Sequence, residues 1–185
     1  GLPNKNKCEE ILNAPDLLSA QDAVAICVFD LNNLRNINNN LGHDKGDEYI
    51  RSFAVQLRIA VADEYFVGRD GGDEFIAVLK NVTRMQVEEC LRDIREQAAK
   101  YSKEYPEMPI SYAVGYAMSQ DFEQSTMREL FRYADKNMYI DKNRAKMEEA
   151  AEEKRMNQRL LAKVKEMSDC LYCDVFMDQY RVLRA

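Results

Sequence analysis

The sequence predicts an α/β (α+β) domain: a mostly antiparallel sheet with a hairpin at its middle, flanked by helices and followed by a helical extension. Three observations carry this prediction. Residues 23–29, AVAICVF, form an unbroken apolar run with β-branched members, the mark of a buried strand. Residues 67–79, VGRDGGDEFIAVL, set Gly-Gly and Asp-Gly pairs between two apolar arms, the punctuation of a tight hairpin. Helical and strand-like segments alternate irregularly, which argues against a doubly wound parallel sheet.

From the N-terminus, NKCEEILNAPDLL reads as a short helix that Pro15 interrupts or ends. The strand at 23–29 follows. Leu31, Leu34, Ile37 and Leu41 then recur at three- and four-residue steps, a short helix closed near Gly42. Asp47 stands near the start of the next helix, whose apolar stripe is Ile50, Phe53, Ala54, Leu57 and Val61. Residues 65–67 and 75–79 are the hairpin arms. Residues 83–101 are helical, with Met85, Val87, Leu91 and Ile94 facing inward. Residues 110–118 form a strand in which Gly115 is a candidate break. From Thr126 a strongly amphipathic helix begins, and Leu160, Val164, Met167 and Leu171 continue its spacing without an intervening Gly or Pro. The expected organisation is one domain over residues 1–145 and a helical extension over residues 146–185.

A net charge of −6 argues against a nucleic-acid-binding surface, which needs a basic patch, but leaves nucleotides open. No apolar run is long enough to span a membrane, and no signal-peptide pattern opens the chain. Five cysteines form no disulfide framework, so the expected setting is a reducing cytoplasm. Cys170 and Cys173 make one CxxC, half of a tetrahedral zinc site, and read as plain thiols on a helix.

The carboxylates are the chemical signal. Asp30 ends the buried strand, and Asp73 and Glu74 project from the hairpin tip. Adjacent like charges repel, so a turn without function would more cheaply carry a neutral residue. If the hairpin lies beside the first strand, Asp30 and Asp73 face a common point and demand a counter-charge. Hard divalent cations meet that demand, and two of them could steady a phosphoryl group. The plain alternative is a turn decorated with solvated acids. Gly71 and Gly72 permit positive φ and close approach of backbone to a bulky anion, or simply make the turn. Asn38 and Asp47 offer an amide and a carboxylate across a loop, a set that complements a guanine edge. Spacing alone favours a blander pairing, a polar loop and a helix N-cap. Arg35, Lys142 and Lys146 are candidate phosphate partners, with solvated helix faces as the alternative. His43 reads as a turn residue rather than a ligand.

Gly71 to Phe75, GGDEF, resembles the signature of the GGDEF family, the diguanylate cyclases. FDLNNLRNINNNLGHDKGDEYI resembles the family's other block: an acid after the first strand, then Asn, then GHxxGD. GLPNK resembles its opening TGLxNR, and RYADKNMYIDK its late helix. The resemblance spans roughly residues 1–145. It implies a five-stranded, mostly antiparallel sheet wrapped by helices, similar to the palm of nucleotidyl cyclases and polymerases. It implies condensation of two GTP into cyclic di-GMP with release of two pyrophosphates, by a homodimer with one GTP per domain. It implies Mg2+ or Mn2+, two per site, held by Asp30, the Leu31 carbonyl and Asp73. Asp73 would also be the base toward the ribose 3′-hydroxyl, and Glu74 the second acid. Asn38 and Asp47 would read guanine with His43 nearby, Arg35 would stabilise phosphate charge, and Lys142 would hold the terminal phosphates.

Four departures stand out. Asn32 replaces the second acid of the family's D-x-D. Lys142 is followed by NRAK where the family often has x-x-G-R-N, so Lys146 or Arg144 would replace its arginine. The feedback motif R-x-x-D is absent, the matching residues being Ala62 to Tyr65, so product inhibition by that route is not expected. The chain opens inside the first motif, so an upstream sensor domain is expected. Two other readings compete with the enzyme: a non-catalytic GTP or cyclic di-GMP receptor, and a helical interaction module driven by residues 145–185. No nucleic acid or membrane partner is expected for this chain.

Overall fold

A computed structural model describes the backbone of residues 1–182 and the side chains of residues 1–166. In chain order the elements are α1 (Lys5–Leu12), β1 (Leu17–Ser19), β2 (Ala25–Leu31), α2 (Leu34–Leu41), α3 (His43–Ala60), β3 (Phe66–Arg69), β4 (Glu74–Leu79), α4 (Arg84–Glu104), β5 (Tyr112–Met118), β6 (Gln124–Thr126) and α5 (Met127–Val182). The chain divides into two compact units, Gly1–Asn143 and Arg144–Ala185.

The first unit is built on β2, the apolar run, every residue of which is buried. It pairs antiparallel with β4 on one side and β5 on the other, and β3 adds to β4, giving the order β3-β4-β2-β5. In place of the single five-stranded sheet expected, six strands among the described residues form this four-stranded sheet and a separate two-stranded ribbon, in which β1 pairs with β6.

Side-chain alternation along β2 sets the two cores. Cys27, Phe29 and Leu31 face a core shared with α3 and α4, where Phe29, Phe53, Phe75 and Tyr112 pack ring to ring. Ile26 and Val28 face a second core with α1 and the start of α5, through Leu130, Ala134 and Met138. Asp30 is next in that second row, so the same alternation turns it toward the α5 face.

Three expectations are corrected. Met85 is 76% exposed, because the buried stripe of α4 runs Val87, Leu91, Ile94, Ala98 and Met85 lies on the opposite side of the helix. Gly115 does not break β5. A Cβ there would lie 2.0 Å from the Met138 nitrogen and 2.3 Å from the Ala134 carbonyl oxygen, so the glycine marks where α5 lies directly on the sheet. Asp47 does not open its helix. α3 begins at His43, and Gly42, at φ +89°, both ends α2 and starts α3, which leaves Asp47 in the second turn.

The second unit continues as helix. Leu160 and Val164 are exposed there, with Met147, Met156 and Leu161. The spacing expected to run on through Met167 and Leu171, and the thiols of Cys170 and Cys173, lie outside the described side chains.

Candidate active site

The hairpin does lie beside the first strand. Asp30 of β2 is the register partner of Glu74 in β4, and the Leu31 N–H donates to the Asp73 carbonyl at 2.9 Å. The turn between the arms, residues 70–73, is tied from both sides. The amides of Asp70 and Gly71 donate to the Glu74 carbonyl at 2.9 and 3.3 Å. The Arg69 guanidinium donates to the Gly71 and Gly72 carbonyls at 3.0 and 2.7 Å. Neither turn glycine uses the left-handed region, since Gly42 alone among the described glycines has positive φ. At Gly71 a Cβ would sit 2.7 Å from the Glu74 carboxylate, so a side chain there would make that flexible carboxylate shift. A Cβ on Gly72 would meet open space, so that face of the turn is accessible.

The acids converge. The Glu74 carboxyl is held above its usual range by partial desolvation, and then by the negative charge of Asp73, Asp30, Asp70 and Asp135. Asp30 is 8% exposed and takes a cation from the protein itself: Lys142 Nζ donates to its Oδ1 at 2.6 Å. Lys142 is one helical turn beyond Met138. Its neighbour Asp141 accepts the Val114 N–H at 3.1 Å, which ties this turn of α5 to β5. Among the described residues, no group of three or more His, Cys, Asp or Glu side chains is placed to hold a metal ion.

Asn38 and Asp47 are brought together. The Asn38 carbonyl closes α2 by accepting the Gly42 N–H at 3.1 Å, and its side-chain oxygen lies against Gly46, where a Cβ would clash at 1.9 Å. Asp47 is the next residue, exposed and 3.8 Å from Arg51. One turn further along α3, a cavity of about 560 Å³ is lined by Leu2, Ile50, Arg51, Ala54, Arg69 and Phe75. Arg35 and His43 are exposed, on α2 and at the first position of α3. Lys146 belongs to the second unit.

Sequence reasoning missed the supports. Asn32 N–H donates to the Ser111 carbonyl at 2.8 Å, and the Asn32 side chain to the Ser111 hydroxyl at 3.1 Å. Ser111 N–H in turn donates to the hydroxyl of fully buried Tyr49 at 3.0 Å. Tyr49 falls four residues before Phe53 on the α3 stripe, so its spacing was a usable signal. Ser111 carries no sequence signal, and Leu2 and Arg69, though they lie within quoted motifs, have roles that only tertiary approach and turn geometry reveal.

The family model described as "Diguanylate cyclase, GGDEF domain" matches residues 1–148. An uncharacterized membrane protein of Staphylococcus saprophyticus is 28% identical over 150 residues, covering 77% of this chain and 42% of that protein. The cyclic di-GMP phosphodiesterase PdeR of Escherichia coli is 26% identical over 161 residues, covering 86% of this chain and 24% of that protein. The chain therefore spans less than half the length of these relatives. The active GGEEF domain of a diguanylate cyclase from Vibrio cholerae superposes with a TM-score of 0.66 at 24% identity, covering 78% of this chain and 93% of that one. That likeness bears out the fold, a mixed α+β domain on an antiparallel sheet. Among the described residues no helix is long and apolar enough to cross a membrane.

Proposed function

The chain belongs to the GGDEF domain family, which is related to cyclic di-GMP metabolism, and from that premise we propose that it is a diguanylate cyclase. It condenses two GTP into cyclic di-GMP and releases two pyrophosphates, acting as a homodimer with one GTP per domain. The observation that carries this proposal is the pairing of β2 with β4, which sets Asp30 opposite Glu74 and ties Leu31 to Asp73.

The donor set fits a hard divalent cation. Asp30, Asp73 and the Leu31 carbonyl offer only oxygen, and the Glu74 carboxyl beside them is raised first by partial desolvation and then by the charge of the neighbouring acids. Among the described residues no three His, Cys, Asp or Glu side chains are placed to hold an ion, so Asp30, Asp73 and the Leu31 carbonyl would hold it in part and leave room for phosphate oxygens as further ligands. When bound, Mg2+ or Mn2+ would neutralise charge on the triphosphate and lower the pKa of an oxygen bound to it. The chain's own residues do the rest. Asp73 takes the proton of the ribose 3′-hydroxyl as its oxygen attacks the α-phosphorus of the second GTP. A 3′-O–P bond forms, the α–β anhydride bond breaks, and pyrophosphate leaves. Glu74 adds negative charge beside Asp73. Asp47 accepts the two donors of the guanine edge and the Asn38 amide serves the rest of that edge, with the cavity beside Ile50 and Leu2 receiving the flat base. Arg35 and Lys142 balance phosphate charge. Lining up oxygen, phosphorus and leaving group accounts for the acceleration, with no covalent enzyme intermediate.

The test is direct. Purified protein is incubated with GTP and Mg2+ over a range of protein concentrations, with Asp73→Ala alongside, and cyclic di-GMP is measured. Product that rises steeply with protein concentration and disappears in Asp73→Ala is expected. GTP binding without turnover at the highest concentration would overturn the enzyme and leave a nucleotide receptor.

A further inference from the structure

Asp30, the acid a metal would need first, already holds a cation. Lys142 Nζ is 2.6 Å from its Oδ1, and the two residues are 112 positions apart in the chain. Neither partner is free to dissolve into water: the side chains are 12% and 26% exposed. The backbone beneath Lys142 is equally held, by the Asp141–Val114 hydrogen bond and by Met138 packed over Gly115. The lysine stem is the flexible part of this pair.

We infer that Lys142 is the resident counter-ion of Asp30, that a divalent cation and Lys142 exclude one another at this carboxylate, and that metal and triphosphate are therefore taken up together. The inference rests on the proposal that this site takes a divalent cation and a nucleoside triphosphate. Two cations cannot share one largely desolvated carboxylate without strong repulsion. Metal alone must eject the ammonium into surroundings whose other acids, Asp73 and Glu74, the metal also attracts. Triphosphate alone meets a lysine already committed to Asp30. With both present, the metal satisfies Asp30 and the phosphates satisfy Lys142. Each ligand removes the obstacle to the other, and linkage makes the gain reciprocal. Lysine suits such an exchange: its compact ammonium on a long stem can swing between acceptors, where a planar guanidinium would be held in a bidentate grip. Asp30 and Lys142 thus act as one exchange unit.

Mn2+ binding is measured by electron paramagnetic resonance, with and without a non-hydrolysable GTP analogue, on wild type and on Lys142→Met. In wild type the analogue should tighten Mn2+ binding by about tenfold or more, within the range typical of coupled sites. Lys142→Met should bind Mn2+ alone about tenfold tighter than wild type does, and the enhancement by the analogue should largely vanish. A second readout uses wild type only: the Lys142 ammonium resonance, followed by 15N NMR. It should hold its position with Mg2+ at a concentration below the metal-only affinity and shift when the analogue is added. Equal Mn2+ affinity in wild type and Lys142→Met, with analogue and metal still binding, would overturn the exchange and leave the proposed function standing. No binding of metal and analogue by either protein would overturn both. If Lys142→Met does not fold, the NMR readout decides: an ammonium signal indifferent to Mg2+ plus analogue would end the inference.

Discussion

Gly115→Ala tests the packing that delivers Lys142 to Asp30. The added methyl would lie 2.0 Å from the Met138 nitrogen, 2.3 Å from the Ala134 oxygen and 2.6 Å from the Asn137 carbonyl carbon. All three are backbone atoms of α5, so no rotamer change relieves the contact, and the helix itself must move away from the sheet. Overpacking a tight core costs about 1–3 kcal/mol, and an obstacle made of backbone puts this case at the upper end, about 3 kcal/mol. For a chain of this length each kcal/mol lowers Tm by about 2–4 °C, so a drop of about 6–12 °C is expected in thermal unfolding followed by circular dichroism. Lys142 is one turn beyond Met138, so the displaced helix should also loosen the Lys142–Asp30 contact and reduce nucleotide binding. A Tm within about 2 °C of wild type would show that α5 does not press on β5 at this glycine. The placement of Lys142 argued above would then lose its foundation.

Two further outcomes are expected. Tyr49→Phe removes the hydroxyl that accepts the Ser111 N–H at 3.0 Å and donates toward the Pro109 carbonyl. Stranding a buried donor costs about 1–3 kcal/mol, so the urea midpoint should fall, and amide exchange at Asn32 and Ser111 should quicken more than in the rest of the sheet. The Glu9 carboxyl is held below its usual range, first by its hydrogen bond from Arg128. A carboxyl lowered in the folded state contributes stability above its ordinary pKa, and that contribution is lost as pH falls through the folded value. Arg128→Met should therefore lower Tm more near neutral pH than in strong acid, where the bond to Asn13 and the contact with Phe131 are still lost; an equal drop at both would contradict the assignment.

The elements that were legible in the sequence are those whose signal is local. The run at 23–29 reads as a buried strand because it is short, apolar at consecutive positions and carries β-branched residues, and β2 is buried throughout. The hairpin was legible from its turn residues, although their reason was not. Gly71 and Gly72 suggested positive φ, whereas Gly71 lies close against the Glu74 side chain and Gly72 leaves a face open. Met85 failed because apolarity near a helix start does not say which face that residue occupies. Gly115 failed more instructively. A strand glycine reads as a weakness when only the strand is considered, and as a packing site once α5 is laid across it.

The chemistry divides in the same way. That acids stand at a strand end and at a hairpin tip, with an amide and a carboxylate bracketing a helix–helix junction, is written in residue order alone, because each group is placed by its own element. Which acid meets which base is not, because that is decided by sheet order and by the angle at which α5 crosses β5. Asp30 and Lys142 belong to opposite ends of the first unit in sequence. They become one ion pair only when period-two alternation turns Asp30 toward the helix and a missing Cβ lets the helix come close enough to answer it.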